Sequence, residues 1–174
     1  RLAAIMPASL SGMSMPQLSK FSLTGAKPLE GRAQVTGTDT LRVGTTSLRL
    51  AGIEAPDRDQ KCNKSGGKKF ACGEAARGAL ERIVRNKPLT CTLGGKDETG
   101  RQLATCAGGG QDVAAQLVKE GHVFAEAGLF SKYGSQETEA RTAKAGLWGG
   151  DNERPSAFRA KQWDVAKKAA PDGC

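Results

Sequence analysis

Short runs of alternating or β-branched apolar residues dominate the first two thirds of this chain. Three of them occupy residues 32–36, 40–43 and 47–53, and the last two are joined by a Gly-Thr-Thr turn typical of a hairpin. Two more runs follow at residues 88–93 and 103–107. Five short strands linked in this way predict a small five-stranded Greek-key barrel of the OB type.

Helical periodicity appears between and after these runs. A first helix is predicted over residues 73–86, a second from Asp112 to Gly121 and a third from Ser135 to Gly146. Leu147 and Trp148 are expected to fold back onto the third helix. The predicted fold class is therefore α+β, mainly β, with about three helices around the barrel.

The 174 residues suit one domain with a tail at each end, because 38% of them are hydrophobic and 25% are charged. Residues 1–30 lack clean periodicity and are interpreted as a linker or partly ordered tail behind a removed signal or anchor. The domain is predicted over residues 31–165. Residues 166–174 are predicted to be a tail, disordered from Lys167, and no apolar run of about 18 residues predicts a membrane span.

Lysine and arginine number 26 against 18 aspartates and glutamates, a net charge of +8. Such an excess is expected of a protein that binds polyanions, and equally of a solvated basic surface. Aromatic residues make up 5% of the chain, which argues against an extended base-stacking platform.

The five cysteines provide evidence on the cellular compartment of the protein. The chain has no CxxC pair and one histidine, so a structural zinc site is not expected. Two short loops would be closed by the disulfides Cys62–Cys72 and Cys91–Cys106 in an oxidising compartment, whereas reduced core thiols in a cytosolic protein are the alternative. Cys174 would remain for an intermolecular bond.

Arginines and carboxylates lie within and just after the third predicted strand, and a further arginine follows the Thr-Gly turn before the fifth strand. Arg49, Glu54 and Asp57 belong to the segment SLRLAGIEAPD, and Arg101 belongs to TGRQLATC. Guanidinium groups and carboxylates together are the components of metal-assisted phosphodiester cleavage. Taken singly, each residue is better explained as a turn residue or a surface charge.

The order of several segments resembles that of the staphylococcal nuclease (thermonuclease) family. These segments are VTGTDTLRV at residues 35–43, residues 49–57, Gly100-Arg101, DVAAQLVKEG at 112–121 and AKAGLWGG at 143–150. The similarity runs from about Gly31 to Trp163. It implies an OB-type barrel and calcium-dependent hydrolysis of DNA or RNA, with magnesium as the other possible ion.

The resemblance also implies a role for each matching residue. Oxygen donors that suit a hard cation would come from Asp39, Glu54 and the main-chain carbonyl of Ala55. Bidentate contacts to the phosphate would come from Arg49 and Arg101. The attacking water would be oriented or deprotonated by Asp57.

Three positions depart from the family's pattern. Gly37 replaces a carboxylate of the metal's water shell, Glu54 is longer than the usual aspartate, and Asp57 is shorter than the usual glutamate. Losing one methylene withdraws a carboxylate by about 1 Å, and a misplacement of that order costs roughly 100-fold in rate.

Substrate contacts differ as well. Thr99 stands where the staphylococcal protein has tyrosine, so nucleotide stacking is expected on Phe130 or Tyr133, beside Lys132. Two functions stay open: a calcium-dependent nuclease, and a catalytically weak or inactive domain that binds a polyanion or a protein through residues 61–69. Either is expected to be a monomer in the periplasm or outside the cell.

Overall fold

The computed structural model describes residues 27–170, and within that range a closed five-stranded barrel is surrounded by four helices. Its strands are β1 (Leu29–Val35), β2 (Thr40–Val43), β3 (Thr46–Leu50), β4 (Ile53–Glu54), β5 (Cys62–Asn63), β6 (Lys69–Phe70), β7 (Pro88–Lys96), β8 (Gln102–Gly108), β9 (Gln111–Asp112) and β10 (Phe124–Ala125). The barrel consists of β1, β2, β3, β7 and β8. The predicted OB-type fold is confirmed.

The barrel closes because β3 pairs along both edges. It runs antiparallel to β2 and parallel to β8, where Arg49 lies opposite Leu103 and Leu50 opposite Ala104. Alternation along the strand buries Leu48 and Leu50 in the core and puts Arg49 on the other face. The strand that closes the barrel therefore also carries one of the two predicted phosphate ligands.

The strand predicted over residues 47–53 is in fact two strands. β3 ends at Leu50, and Gly52 adopts a φ of 80°, the left-handed region in which glycine is favoured. β4 then pairs with β10 instead of continuing in the barrel, with Glu54 opposite Phe124. The turn thus brings Glu54 beside residues from the C-terminal half of the chain.

The four helices are α1 (Cys72–Val84), α2 (Val113–Lys119), α3 (Gly134–Ala143) and α4 (Pro155–Ala169), and 3₁₀ turns occupy Ser65–Gly67 and Gly146–Gly149. Asp112 caps α2 as predicted, since its Oδ1 accepts the N–H of Ala115 at 3.0 Å. Helix α3 ends three residues earlier than predicted, because Lys144 takes the left-handed C-cap position with a φ of 52°. None of the helices in residues 27–170 is long and apolar enough to cross a membrane.

Helix α4 was not among the predicted helices, and the disorder expected from Lys167 is wrong as far as Ala169, where the helix ends. Pro155 at its start is a favourable first helical residue. The helix has no buried residue, so no apolar stripe marks it in the sequence. It is fastened at its start, where Arg154 donates to the Ala125 carbonyl at 2.5 Å.

Both predicted disulfides are confirmed. Cys62–Cys72 joins β5 to the first residue of α1, and Cys91–Cys106 links opposite positions of β7 and β8. All four cysteines are buried and bonded in these pairs, so the alternative of free core thiols does not hold for them. Cys174 and the predicted tail up to residue 26 lie outside the described residues.

Candidate active site

Arg49 lies between two carboxylates on the barrel wall. Its Nε donates to Asp39 Oδ2 at 3.1 Å, and its Nη1 donates to Asp97 Oδ2 at 3.3 Å. Asp39 ends the loop before β2, and Asp97 begins the turn between β7 and β8. The guanidinium group is thereby held in one orientation by charges from two separate loops.

Asp97 organises the turn that carries Arg101. Its Oδ1 accepts the N–H groups of Thr99 and Arg101 at 2.9 and 2.8 Å, together with the Thr99 hydroxyl at 2.8 Å. Its Oδ2 accepts Arg101 Nε at 2.7 Å, and this is the oxygen that also accepts Arg49. The two guanidinium groups therefore meet at a single carboxylate oxygen.

The Asp97 side chain is only 6% exposed. Burial raises the pKa of its carboxyl, but hydrogen bonds from Arg101 and Thr99 outweigh burial and hold that pKa well below its usual range. Asp97 was not among the predicted site residues. The sequence feature that could have indicated its role is the Asp-Glu-Thr-Gly-Arg turn that it begins. In such turns an aspartate side chain accepts hydrogen bonds from backbone N–H groups a few residues later.

A cleft of about 540 Å³ opens beside these groups. Arg49, Arg101 and Glu54 all line it, so the structure brings together three of the predicted site residues. Glu54 Oε2 accepts the Ser156 hydroxyl at 2.9 Å and the Ser156 N–H at 3.3 Å. Arg159, from the same helix α4, lines the cleft as well. We call this space the arginine cleft.

The donors available to a cation are hard oxygens, as calcium or magnesium requires. Glu54 faces the arginine cleft, Ala55 follows it in the chain, and Asp39 is engaged by Arg49. Calcium takes about 6–8 oxygen ligands, whereas residues 27–170 contain no group of three acidic, histidine or cysteine side chains placed to share an ion. Oxygens of this type suit a hard cation that keeps much of its water shell, but these residues do not form a ready coordination shell, and the ligand roles stay predictions.

Asp57 is placed apart from the arginines. It is exposed, its N–H donates to Gln60 Oε1 at 3.0 Å, and it lines a neighbouring cavity instead of the arginine cleft. The two spaces share Arg159 as a lining residue. The residue predicted to act on water therefore lines a different cavity from the two arginines.

The predicted stacking residues differ in accessibility. Phe130 is 98% exposed in the loop before α3, whereas Tyr133 is 2% exposed and packs against Gly52. Burial raises the pKa of the Tyr133 phenol, and its hydroxyl bonds Asp112 Oδ2 at 2.9 Å. Lys132 Nζ lies over that ring, 5.5 Å from its centroid. Of the two rings, that of Phe130 is the one open to a ligand.

A closed OB-type barrel whose cleft presents two fixed guanidinium groups and a carboxylate defines a protein suited to anionic ligands. A protein-family model described as staphylococcal nuclease homologue matches residues 47–150, more than half of the chain. The chain therefore belongs to the staphylococcal nuclease homologue family. Asp39 and helix α4 lie outside the matched residues.

Three curated proteins are similar to this chain. Succinoglycan biosynthesis protein ExoI of Rhizobium meliloti (strain 1021) is 26% identical over 162 residues, which cover 91% of this chain and 85% of that protein. The probable staphylococcal-like nucleases CAN4 and CAN2 of Oryza sativa subsp. japonica are 29% and 26% identical over 64% and 70% of this chain. The chain spans only 21% and 31% of those two proteins' lengths.

Proposed function

We propose that this protein hydrolyses phosphodiester bonds of DNA or RNA in the arginine cleft, with calcium as its ion. The observation that carries the proposal is that Arg49 and Arg101 both donate to Asp97 Oδ2, so that two planar cations stand side by side at one cleft. Family membership and a net charge of +8 point to a nucleic acid as the anion.

Arg49 and Arg101 bind the two non-bridging oxygens of the phosphate. Guanidinium groups suit this task because each presents several N–H donors in one plane and stays charged at any physiological pH. Asp97 positions them and takes no part in the chemistry. As the phosphate gains negative charge in the transition state, the fixed donors stabilise it without having to reorient.

Asp39, Glu54 and the carbonyl of Ala55 would hold the calcium ion, with magnesium as the other candidate. When bound, the ion supplies positive charge that lowers the cost of adding electrons to the phosphorus centre. Asp57 orients the attacking water or takes its proton. The water oxygen forms a bond to phosphorus and gives up a proton, while the bond from phosphorus to one ester oxygen breaks and that oxygen takes up a proton from solvent water.

An extracytoplasmic location, periplasmic or extracellular, completes the proposal. Its support is the pair of disulfides, which persist in oxidising compartments. The relative named for succinoglycan biosynthesis is consistent with a role in the cell envelope. We expect a monomer.

A second candidate is a catalytically weak or inactive member of the family that binds a polyanion or a protein in the cell envelope, with residues 61–69 in contact. Two observations favour it. Asp57 lines the neighbouring cavity instead of the arginine cleft, and Glu54 is already engaged by Ser156. The first candidate requires turnover at the arginines, whereas the second requires binding without turnover.

The test is release of acid-soluble nucleotides from single-stranded DNA and from RNA, with calcium, with magnesium and with chelator. Arg101→Ala is expected to lower calcium-dependent release by about 100-fold or more, the cost of losing one fixed donor to a developing negative charge. Arg85→Ala is the matched control, since Arg85 is exposed at the end of α1 and does not line the cleft.

Circular dichroism verifies the fold of each variant. Equal release by wild type and Arg101→Ala would remove the assignment of the cleft. Absence of release by a folded wild type, together with binding of the same nucleic acids that Arg101→Ala loses, would leave the second candidate.

A further inference from the structure

A larger cavity adjoins the arginine cleft. It has a volume of about 760 Å³ and lies between the loop at residues 57–61 and helix α4. Its volume falls within the roughly 300–1,000 Å³ of small-molecule sites. We call it the α4 cavity.

Reciprocal hydrogen bonds between Asn63 and Asn152 fix part of the wall of the α4 cavity. The Asn63 N–H donates to Asn152 Oδ1 at 2.8 Å, and Asn152 Nδ2 donates back to the Asn63 carbonyl at 3.0 Å. Asn63 Nδ2 also donates to the Asp151 carbonyl at 2.7 Å. The adjacent Cys62–Cys72 disulfide anchors the same strand, so two distant segments are fixed on either side of the space.

The lining has the chemistry of a nucleoside site more than that of a phosphate site. One wall offers an aromatic ring, Phe158, which is 52% exposed. Four side-chain amides also line the cavity: Gln60, Asn63, Asn152 and Gln162. The amides of Asn63 and Asn152 hold the two segments together, whereas the Gln162 amide is a donor and acceptor that a ligand can use. Four carboxylates and three cations also line the cavity, which leaves no excess positive charge to hold an anion.

Arg159 connects the two spaces. It lines both the α4 cavity and the arginine cleft, and it follows Ser156 by three residues on the same side of α4. Ser156 holds this side of the helix to Glu54. A ligand that spans both spaces would therefore contact Arg159.

We infer that the α4 cavity is a subsite for the nucleoside next to the phosphate bound in the arginine cleft, with its base stacked on Phe158. The inference rests on the proposed function, because it takes a nucleic acid as the ligand. Stacking is tolerant of sequence, since every base has a flat π face. The Gln162 amide adds contacts to base edges or sugar hydroxyls.

The test measures binding of fluorescently labelled dT8 and rU8 in chelator, where a metal-dependent nuclease does not cleave. Phe158→Ala is expected to weaken binding by about 10-fold, within the range found for single base–aromatic stacks. Trp163→Ala is the matched control, because Trp163 is an aromatic of the same helix, is 65% exposed and lines neither space. Gln162→Ala provides a second variant on the cavity wall, expected to weaken binding less.

Arg101→Ala separates this inference from the proposed function. If Arg101→Ala loses binding while Phe158→Ala and Trp163→Ala both bind like wild type, the α4 subsite is overturned and the arginine cleft stands. Equal weakening by Phe158→Ala and Trp163→Ala would also overturn it, as an effect on the whole helix. A wild type that binds neither oligonucleotide overturns the proposed function and the subsite together.

Discussion

Glu137→Gln tests the contact that fastens helix α4 to the barrel. Glu137 is 6% exposed, and its carboxylate accepts hydrogen bonds from three donors. Oε2 accepts the Ala125 N–H at 2.7 Å, while Oε1 accepts Arg141 Nη2 at 3.1 Å and Arg154 Nη2. Glutamine has the same shape but a single acceptor oxygen, so its NH₂ group must face a donor on one side.

The expected loss can be estimated from these contacts. Removing one partner of a buried ion pair costs about 3–5 kcal/mol. Arg141 is half-exposed and contributes at most about 0.5 kcal/mol, and Arg154 keeps its bond to the Ala125 carbonyl, which places the loss near the lower end. About 3 kcal/mol corresponds to a drop in Tm of roughly 6–12 °C for a chain of this size.

The assay is thermal unfolding followed by circular dichroism at neutral pH, with Glu139→Gln as the control. Glu139 lies on the same helix, but its carboxylate is half-exposed and pairs with Lys119 at 3.4 Å, so its replacement should change stability by less than about 1 kcal/mol. Equal melting temperatures for the two variants would refute the reasoning. They would mean that the contacts of Glu137 contribute no more than a surface ion pair.

Three further predictions concern disulfides and protons. Replacing Cys91 and Cys106 by serine should cost about 3 kcal/mol, because their disulfide spans 15 residues; unchanged urea midpoints would contradict this. The lowered pKa of Asp97 contributes stability that is complete above the unfolded-state pKa of about 4 and is lost as the pH falls below it. In Asp97→Asn, the urea midpoint should therefore fall less steeply as the pH is lowered through the acidic range. Burial lowers the pKa of His122 more than the Glu120 carboxylate raises it. Just below pH about 6.5 the unfolded chain therefore binds more protons than the folded chain, so the stability of the wild type rises as the pH approaches that value. His122→Gln should lack this rise. Parallel plots of urea midpoint against pH for the two proteins would contradict the prediction.

Most of the barrel follows from local sequence pattern. Alternation placed Leu48 and Leu50 inside and Arg49 outside, because successive side chains of a strand point to opposite faces. Asp112 as a helix cap and the short-range disulfides also follow from neighbours in the chain. These features depend on residues within about 15 positions of one another, the range over which patterning and loop closure act.

Contacts across long sequence distances were decided only by the tertiary structure. The junction of Arg49 with Asp97 joins residues 48 positions apart, and the bond from Ser156 to Glu54 joins residues 102 apart. Helix α4 escaped prediction because none of its residues is buried, so its place depends on polar bonds that Arg154 and Ser156 make with distant partners. The periodicity of hydrophobic residues predicts which face of a helix or strand packs against the core. A site assembled from exposed polar groups produces no such periodicity, so the sequence pattern does not predict it.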